Sequence, residues 1–329
     1  MGTPVKILIL RFSSIGDIVL TSPVIRCLKQ QFPNADVHFC TKRAFQSIVE
    51  SNPYLSRCHY LDSSLHDLID RLRTEQYDYI VDLHNNIRTN LIKLALRTRS
   101  FTVRKLNLRK WLYVRWKMNV MPNQHLVDRY LATVRQLGIA NDQLGLDYFI
   151  PESDRITPDL LPSTHRRGYI AYAMGGQHAT KQLPVQRMIE LCQRINYPII
   201  LLGSKEDHRN GEAIVWALSS QLIFNACGRF TLNQSASLLQ QARLVFSHDT
   251  GLMHIAAAFK KEIYSIWGNT TPQLGMYPYK TPHVILEKSG LTCRPCSKIG
   301  YAGCPRKHFR CMQELPLDFD LPPTNEAPG

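Results

Sequence analysis

Short apolar runs of strand length alternate with helix-like segments along most of this chain. Residues 6–11, 36–41 and 78–83 have the composition of buried strands, and each is followed by a segment with helical periodicity. Strands that alternate with helices form βαβ units, which assemble into a parallel sheet. The sequence therefore predicts an α/β protein with a doubly wound parallel sheet.

The alternation stops once and then restarts. Residues 151–167 contain prolines and mixed polar residues, which are typical of a linker between domains. Strand-like runs resume after it at 169–174, 198–202, 244–247 and 263–267. We expect two Rossmann-like domains, over 1–150 and 168–329, because 329 residues at about 100–200 per domain favour two domains.

The sequence predicts no membrane-spanning helix, because it contains no run of about 18 apolar residues. Its N-terminus has the pattern of a strand that enters a loop, and not of a secretory signal. We therefore expect a cytoplasmic protein. The nine cysteines fit that compartment if they are reduced or metal-bound, and their odd number excludes complete internal pairing.

The chain carries a formal net charge of +14, and the basic residues are unevenly placed. No acidic residue occurs between Asp82 and Asp128, where ten Lys or Arg residues lie with Trp111, Tyr113 and Trp116. Such a stretch attracts partners that carry phosphate, whether nucleic acid, anionic lipid or a charged glycan. A solvated helix face is the alternative, because charge alone gives no specificity.

Asp17 follows the first strand in a segment, 13–17, that the pattern predicts to be a loop. In open α/β sheets, ligands bind beyond the carboxyl ends of the strands. A carboxylate placed there could take a proton from an incoming hydroxyl group. The alternative is that Asp17 only caps the next helix.

A second candidate site lies where a later strand, a polar loop and a helix meet, at residues 249–254. The free N–H groups of Thr250 and Gly251, together with the helix dipole, would bind a phosphate group. Asp249 would bind ligand hydroxyls or order the loop. His254 lies one turn into the helix, where a buried structural histidine is the alternative.

Two further turns of the C-terminal half follow strands. Gly175 and Gly176 would let a ligand approach the backbone, and Lys181 would supply a point charge for phosphate. In the turn 203–207, Glu206 would bind ribose hydroxyls, as acids after the second strand do in nucleotide-binding folds. Surface positions are the alternative for both turns.

Four cysteines fall within nineteen residues, namely Cys293, Cys296, Cys304 and Cys311. Four thiolates suit a closed structural zinc site, which leaves no open position for catalysis. The second pair lacks the usual C-x2-C spacing, so two disulfides or free thiols are the alternatives.

Two segments of the chain together resemble glycosyltransferase family 9, the ADP-heptose:lipopolysaccharide heptosyltransferases. They are KILILRFSSIGDIVLTSPVIRCLKQQFPNADVHF at 6–39 and LVFSHDTGLMHIAAAFKKEIYSIWGNTTPQLGMYPY at 244–279. The cysteine-rich segment 293–311 is similar to one found in the heptosyltransferase II-like branch. The resemblance implies a GT-B fold, in which an N-terminal domain holds the acceptor and a C-terminal domain holds the nucleotide-sugar.

The resemblance also implies an inverting, metal-independent mechanism with Asp17 as general base. Taking position after strands, the basic stretch and the resemblance together, we predict a donor site at Gly175, Gly176, Lys181, Glu206, Asp249, Thr250, Gly251 and His254, and an acceptor site at Ser14, Gly16, Arg88 and Arg109. The expected partners are ADP-heptose and an anionic glycolipid at the inner membrane surface, where the protein would be peripheral.

Two alternatives stay open. The same fold could use another nucleotide-sugar donor and another surface glycan. A non-catalytic protein could bind nucleic acid through residues 88–117, although no nucleic-acid motif accompanies the charge.

Overall fold

The computed structural model describes residues 4–322, which contain two parallel β-sheets. The first sheet has the strand order β3-β2-β1-β4-β5. Its strands are β1 (Val5–Leu10), β2 (Ala35–Lys42), β3 (Arg57–Leu61), β4 (Tyr79–Asp82) and β5 (Arg99–Thr102). The order reverses between β1 and β4, which is where ligands bind in folds of this kind.

The second sheet has the strand order β11-β10-β9-β6-β7-β8. Its strands are β6 (Ile170–Ala173), β7 (Ile199–Leu202), β8 (Ile223–Asn225), β9 (Val245–His248), β10 (Ile263–Trp267) and β11 (His283–Glu287). The paired strands of both sheets run parallel. The expectation of doubly wound parallel sheets is confirmed.

Helices connect the strands. In the first half they are α1 (Ile15–Val19), α2 (Ser22–Gln31), α3 (Gln46–Val49), α4 (Leu65–Thr74), α5 (Ile87–Leu96), α6 (Asn107–Trp116) and α7 (Leu126–Val134). In the second half they are α8 (Val185–Ile195), α9 (His208–Leu218), α10 (Leu232–Gln241), α11 (Gly251–Ala258) and α12 (Arg310–Gln313). None of the helices within 4–322 is long and apolar enough to cross a bilayer.

The prediction of a loop over 13–17 is wrong, because α1 begins at Ile15. The helix starts this early because Ser14 and Asp17 form a capping box, in which the Asp17 carboxylate accepts hydrogen bonds from the Ser14 backbone and side chain. Asp17 therefore lies in the first turn of a helix. The capping role and a catalytic role are compatible.

The linker predicted at 151–167 contains three short 3-10 turns, at Glu152–Asp154, Pro158–Leu160 and Ser163–His165. It packs along α10, where the Ile156 N–H donates to Ser237 Oγ at 2.9 Å. The domain bounds 1–150 and 168–329 stay a prediction.

Candidate active site

The two halves of the chain meet where α1 and α11 begin. A Cβ added to Gly16 would lie 2.6 Å from His254 Cδ2, and one added to Gly251 would lie 2.6 Å from Ile15 Cγ2. Real Cβ atoms do not approach that closely, so these two positions require glycine. Their close approach packs the helix that carries Asp17 directly against the N-terminus of α11.

Asp17 is held by two partners from its own half. Arg11 Nη2 lies 2.8 Å from Asp17 Oδ1, while Ser14 Oγ donates to Asp17 Oδ2 at 2.7 Å. Burial raises the pKa of Asp17, but the Arg11 charge, the Ser14 hydrogen bonds and His254 together outweigh it and leave the pKa below its ordinary value. The carboxylate is therefore ionised at neutral pH, as a general base must be.

His254 is buried between the two helices. Burial lowers the pKa of His254 to about 4, against the opposing charges of Asp249 and Asp17. The imidazole is therefore neutral near pH 7. Its Nδ1 atom has no hydrogen-bond partner among residues 4–322.

Lys181 and Asp249 form a charged pair just before the N-terminus of α11. Lys181 Nζ lies 2.6 Å from Asp249 Oδ2, and Thr270 Oγ1 donates to the same oxygen at 2.9 Å. Two nearby side chains have unpartnered polar atoms. Within the described chain, Thr250 Oγ1 and the side-chain oxygen and nitrogen of Asn269 are buried without a hydrogen bond. A ligand with several acceptor oxygens, such as a diphosphate, could accept hydrogen bonds from Thr250 Oγ1 and Asn269 Nδ2.

Gly175 and Gly176 lie beside this loop, as the donor-site prediction requires. A Cβ on Gly176 would lie 3.6 Å from Thr250 Cγ2, and one on Gly175 would lie 2.6 Å from Asp207 Oδ2. Asp207 is buried and accepts from Ser204 N at 2.8 Å, whereas Glu206 is exposed in the turn. The structure therefore places Asp207, and not Glu206, against the glycine turn, while the ribose-binding role of Glu206 stays a prediction.

The predicted acceptor residues occupy three different environments. The Ser14 hydroxyl group donates a hydrogen bond to Asp17, and Gly16 is buried against His254. Arg88 on α5 and Arg109 on α6 are exposed. Lys110, the neighbour of Arg109, is half-buried. Burial and the charges of Arg129 and Arg11 lower the pKa of Lys110 to about 8, against the opposing charge of Asp17.

The four clustered cysteines do not form a metal cage in this arrangement. Their thiols are free, and Cys296 Sγ donates to the Cys293 carbonyl oxygen at 3.1 Å. Among residues 4–322, the one group of three or more potential metal ligands within 4.8 Å of one another is His38, His59 and Glu75. The structural zinc hypothesis for Cys293, Cys296, Cys304 and Cys311 stays a prediction, which metal analysis of the purified protein tests.

Several residues close to these groups were not among the predicted site residues. Arg11 ends the first apolar run, and Asn269 and Thr270 follow β10, so position after a strand was a usable signal for all three. Asp207 ends a turn after β7, so the same signal applies. Arg129 lies inside a helix, and nothing in the pattern separates it from a surface arginine.

Comparison with known proteins gives the family of the chain. The family model for glycosyltransferase family 9 (heptosyltransferase) matches residues 65–303. The chain is 26% identical to lipooligosaccharide heptosyltransferase 2 of Haemophilus ducreyi, over 81% of this chain and 84% of that protein.

Two solved structures have the same fold. A glycosyl transferase family 9 protein from Veillonella parvula gives a TM-score of 0.72 at 19% identity, covering 88% of this chain and 87% of its own. The E. coli ADP-heptose lps heptosyltransferase II gives a TM-score of 0.69 at 20% identity, covering 94% of this chain and 98% of its own. The expected GT-B fold is confirmed, and the chain belongs to glycosyltransferase family 9.

Proposed function

We propose that this protein transfers heptose from ADP-heptose to an acidic lipopolysaccharide core acceptor, with inversion at the anomeric carbon. The observation that carries the proposal is that α1, which holds the ionised Asp17 carboxylate, packs against the N-terminus of α11. Asp17 and the Lys181–Asp249 pair both lie close enough to His254 to act on its pKa. The names of the relatives support the sugar, and that of the E. coli structure supports the nucleotide.

In the proposed reaction, Asp17 accepts the proton of an acceptor hydroxyl group. The hydroxyl oxygen then forms a bond to the anomeric carbon on the face opposite the leaving ADP, and the bond from that carbon to the diphosphate oxygen breaks. The transition state has oxocarbenium character, as in glycoside chemistry generally. The proposal thus sets base and leaving group on opposite faces of the anomeric carbon, as inversion requires.

The departing diphosphate gains negative charge as the bond breaks. Lys181 and the backbone N–H groups of Thr250 and Gly251 would stabilise that charge, since fixed donors in a closed site act more strongly than water does. Our proposal assigns this role to the chain's own groups, so no step is routed through a metal ion.

We also propose that the protein docks on the inner membrane surface, where a glycolipid acceptor would lie. The acid-free stretch exposes large apolar side chains among its cations: Ile87, Leu91 and Leu94 on α5, and Leu108, Trp111 and Trp116 on α6. Basic residues with exposed apolar side chains favour anionic bilayers. Sedimentation with phosphatidylglycerol vesicles, but not with phosphatidylcholine vesicles, is the expected result.

The first test is a thermal-shift panel of ADP, GDP, UDP and CMP and their sugar conjugates, including ADP-heptose. A ligand at 100 times its Kd adds about 2.7 kcal/mol of stability. Stabilisation by ADP and ADP-heptose alone supports the proposal. Stabilisation by another nucleotide would show that the donor carries that nucleotide instead of ADP. Family membership favours a transferase over the nucleic-acid alternative, which predicts no response to any nucleotide-sugar.

A further inference from the structure

Arg129 on α7 is a buried cation without a partner. Its side chain is 6% exposed, and none of its three guanidinium nitrogens makes a hydrogen bond within residues 4–322. The protein treats other buried arginines differently, since Arg26 pairs with Asp142 and Asp147, and Arg294 pairs with Glu287. An unpaired buried charge is strongly destabilising, so Arg129 requires an explanation that the fold does not supply.

The Arg129 guanidinium is buried where a helix of the first half meets a loop of the second. Its Nη2 atom is 3.4 Å from the point where a Cβ on Gly275 would lie, in the loop that follows β10. Gly275 also accepts a hydrogen bond from Leu126 N, at the start of the same helix, at 2.8 Å. The next residue, Tyr130, has a buried hydroxyl group that is likewise without a partner in the described chain.

Charge around this point is predominantly positive. Lys110 on α6 is close enough for Arg129 to lower its pKa, and Arg11 and Lys298 act on Lys110 in the same direction. Asp17 acts on Lys110 in the opposite direction, and its carboxylate is engaged by Arg11 and Ser14. The surroundings of Arg129, which also hold the proposed base, therefore offer positive charge and free donors to an anion.

We propose that Arg129, with Lys110, binds an anionic group of the acceptor, a carboxylate or a phosphate carried next to the hydroxyl group that Asp17 activates. The acceptor's identity here rests on the proposed function, but the anion site does not. A planar guanidinium can hold two oxygens of either group in one orientation. The donor diphosphate is a poorer candidate, because the proposed function assigns it to Lys181 and the N-terminus of α11.

This assignment makes Arg129 a specificity-determining residue. An acceptor that carries the anion completes the hydrogen bonds of a charge that is already buried. One that lacks it leaves the charge unpaired, and a site built around a buried polar group rejects such an analogue strongly.

The first experiment needs no sugar donor. Melting temperatures are measured for wild type, Arg129→Met and Arg129→Lys, with Arg135→Gln as a matched control that removes an exposed cation just beyond the same helix. Inorganic phosphate and acetate are the probes, at ionic strength matched with chloride. Because the Lys181 site is intact in every variant, the difference between variants isolates Arg129.

We expect Arg129→Met to melt higher than wild type without anion, since it removes an unpaired buried charge. The added stability that phosphate or acetate gives wild type and Arg135→Gln should be lost in Arg129→Met and reduced in Arg129→Lys. A lower melting temperature for Arg129→Met, together with an unchanged anion response, would overturn the proposal.

The second experiment identifies the source of the anion. Transfer is assayed with a deacylated core acceptor, with the same acceptor after phosphate removal, and with the same acceptor after carboxyl reduction. We expect Arg129→Met to raise the acceptor KM about 10–100-fold, as charged hydrogen bonds of about 1.5–3 kcal/mol imply, with the ADP-heptose KM within about twofold of wild type.

On one of the two modified acceptors, wild type and Arg129→Met should become equal, and that acceptor identifies the lost group. An equal penalty on all three acceptors would overturn the proposal. If no heptose is transferred by any variant, the proposed function fails while the anion-binding result on Arg129 still stands.

Discussion

His254 closes over Gly16 so tightly that a Cβ at position 16 would lie 2.6 Å from its Cδ2 atom. This contact joins the first turn of α1, which carries Asp17, to the first turn of α11, which carries the proposed diphosphate site. The proposed base and the proposed leaving-group site are therefore positioned by one packing contact between the two halves.

Replacing Gly16 with alanine tests that contact. The methyl group would force His254 or α11 to move, and overpacking of this kind costs about 1–3 kcal/mol. We expect Gly16→Ala to lower the melting temperature and to reduce kcat at least tenfold. Gly303→Ala is the matched control, because nothing lies within 4 Å of a Cβ there. Wild-type activity and stability in Gly16→Ala would show that the contact does not position the site.

Lys181→Met tests the proposed donor site. Its ammonium pairs with Asp249 at 2.6 Å, and a charged contact to a diphosphate contributes about 1.5–3 kcal/mol. We expect the KM for ADP-heptose to rise about 10–100-fold, with little change in the acceptor KM. The control is Lys288→Met, which removes a cation 3.8 Å from Glu314 on the surface. A rise in the acceptor KM instead would show that Lys181 binds the acceptor and not the donor.

Acid should destabilise the protein before its carboxylates protonate. Burial lowers the pKa of His125 to about 3 and those of His248 and His254 to about 4, compared with 6.5 in the unfolded chain. Between pH 6.5 and 4 the unfolded state therefore binds more protons, so the free energy of unfolding falls as the pH falls. Urea unfolding at pH 7, 6 and 5 should give successively lower values. A constant value over that range would contradict the buried, neutral state of these histidines.

The sequence predicted the central strands of both sheets and missed the edges. Strands β3 and β5 border the first sheet, and β8 and β11 border the second. Edge strands have neighbours on one side only and are less apolar; β5, for example, exposes Arg99 and Ser100. An apolar-run pattern detects strands that are buried on both faces, so it finds β1 and β10 and overlooks these four.

The candidate site was predictable where function depends on position after a strand. Asp17 and the 249–254 loop are such positions, and the structure brings their two helices together. Arg129 and Lys110 were not predictable in this way, since each lies within a helix, and its burial depends on tertiary packing. The difference between Glu206 and Asp207, one residue apart, also depends on side-chain burial that no local pattern encodes.

The most direct test of the account is the rate of heptose transfer by Asp17→Asn. The amide keeps the shape of the carboxylate but cannot accept the proton, and general-base catalysis contributes about 10²–10⁴-fold. We expect kcat to fall within that range while ADP-heptose still raises the melting temperature as in wild type. Asp62→Asn, at an exposed carboxylate paired with Arg43, should transfer heptose at the wild-type rate. Full activity in Asp17→Asn would contradict the assignment of Asp17 as the base.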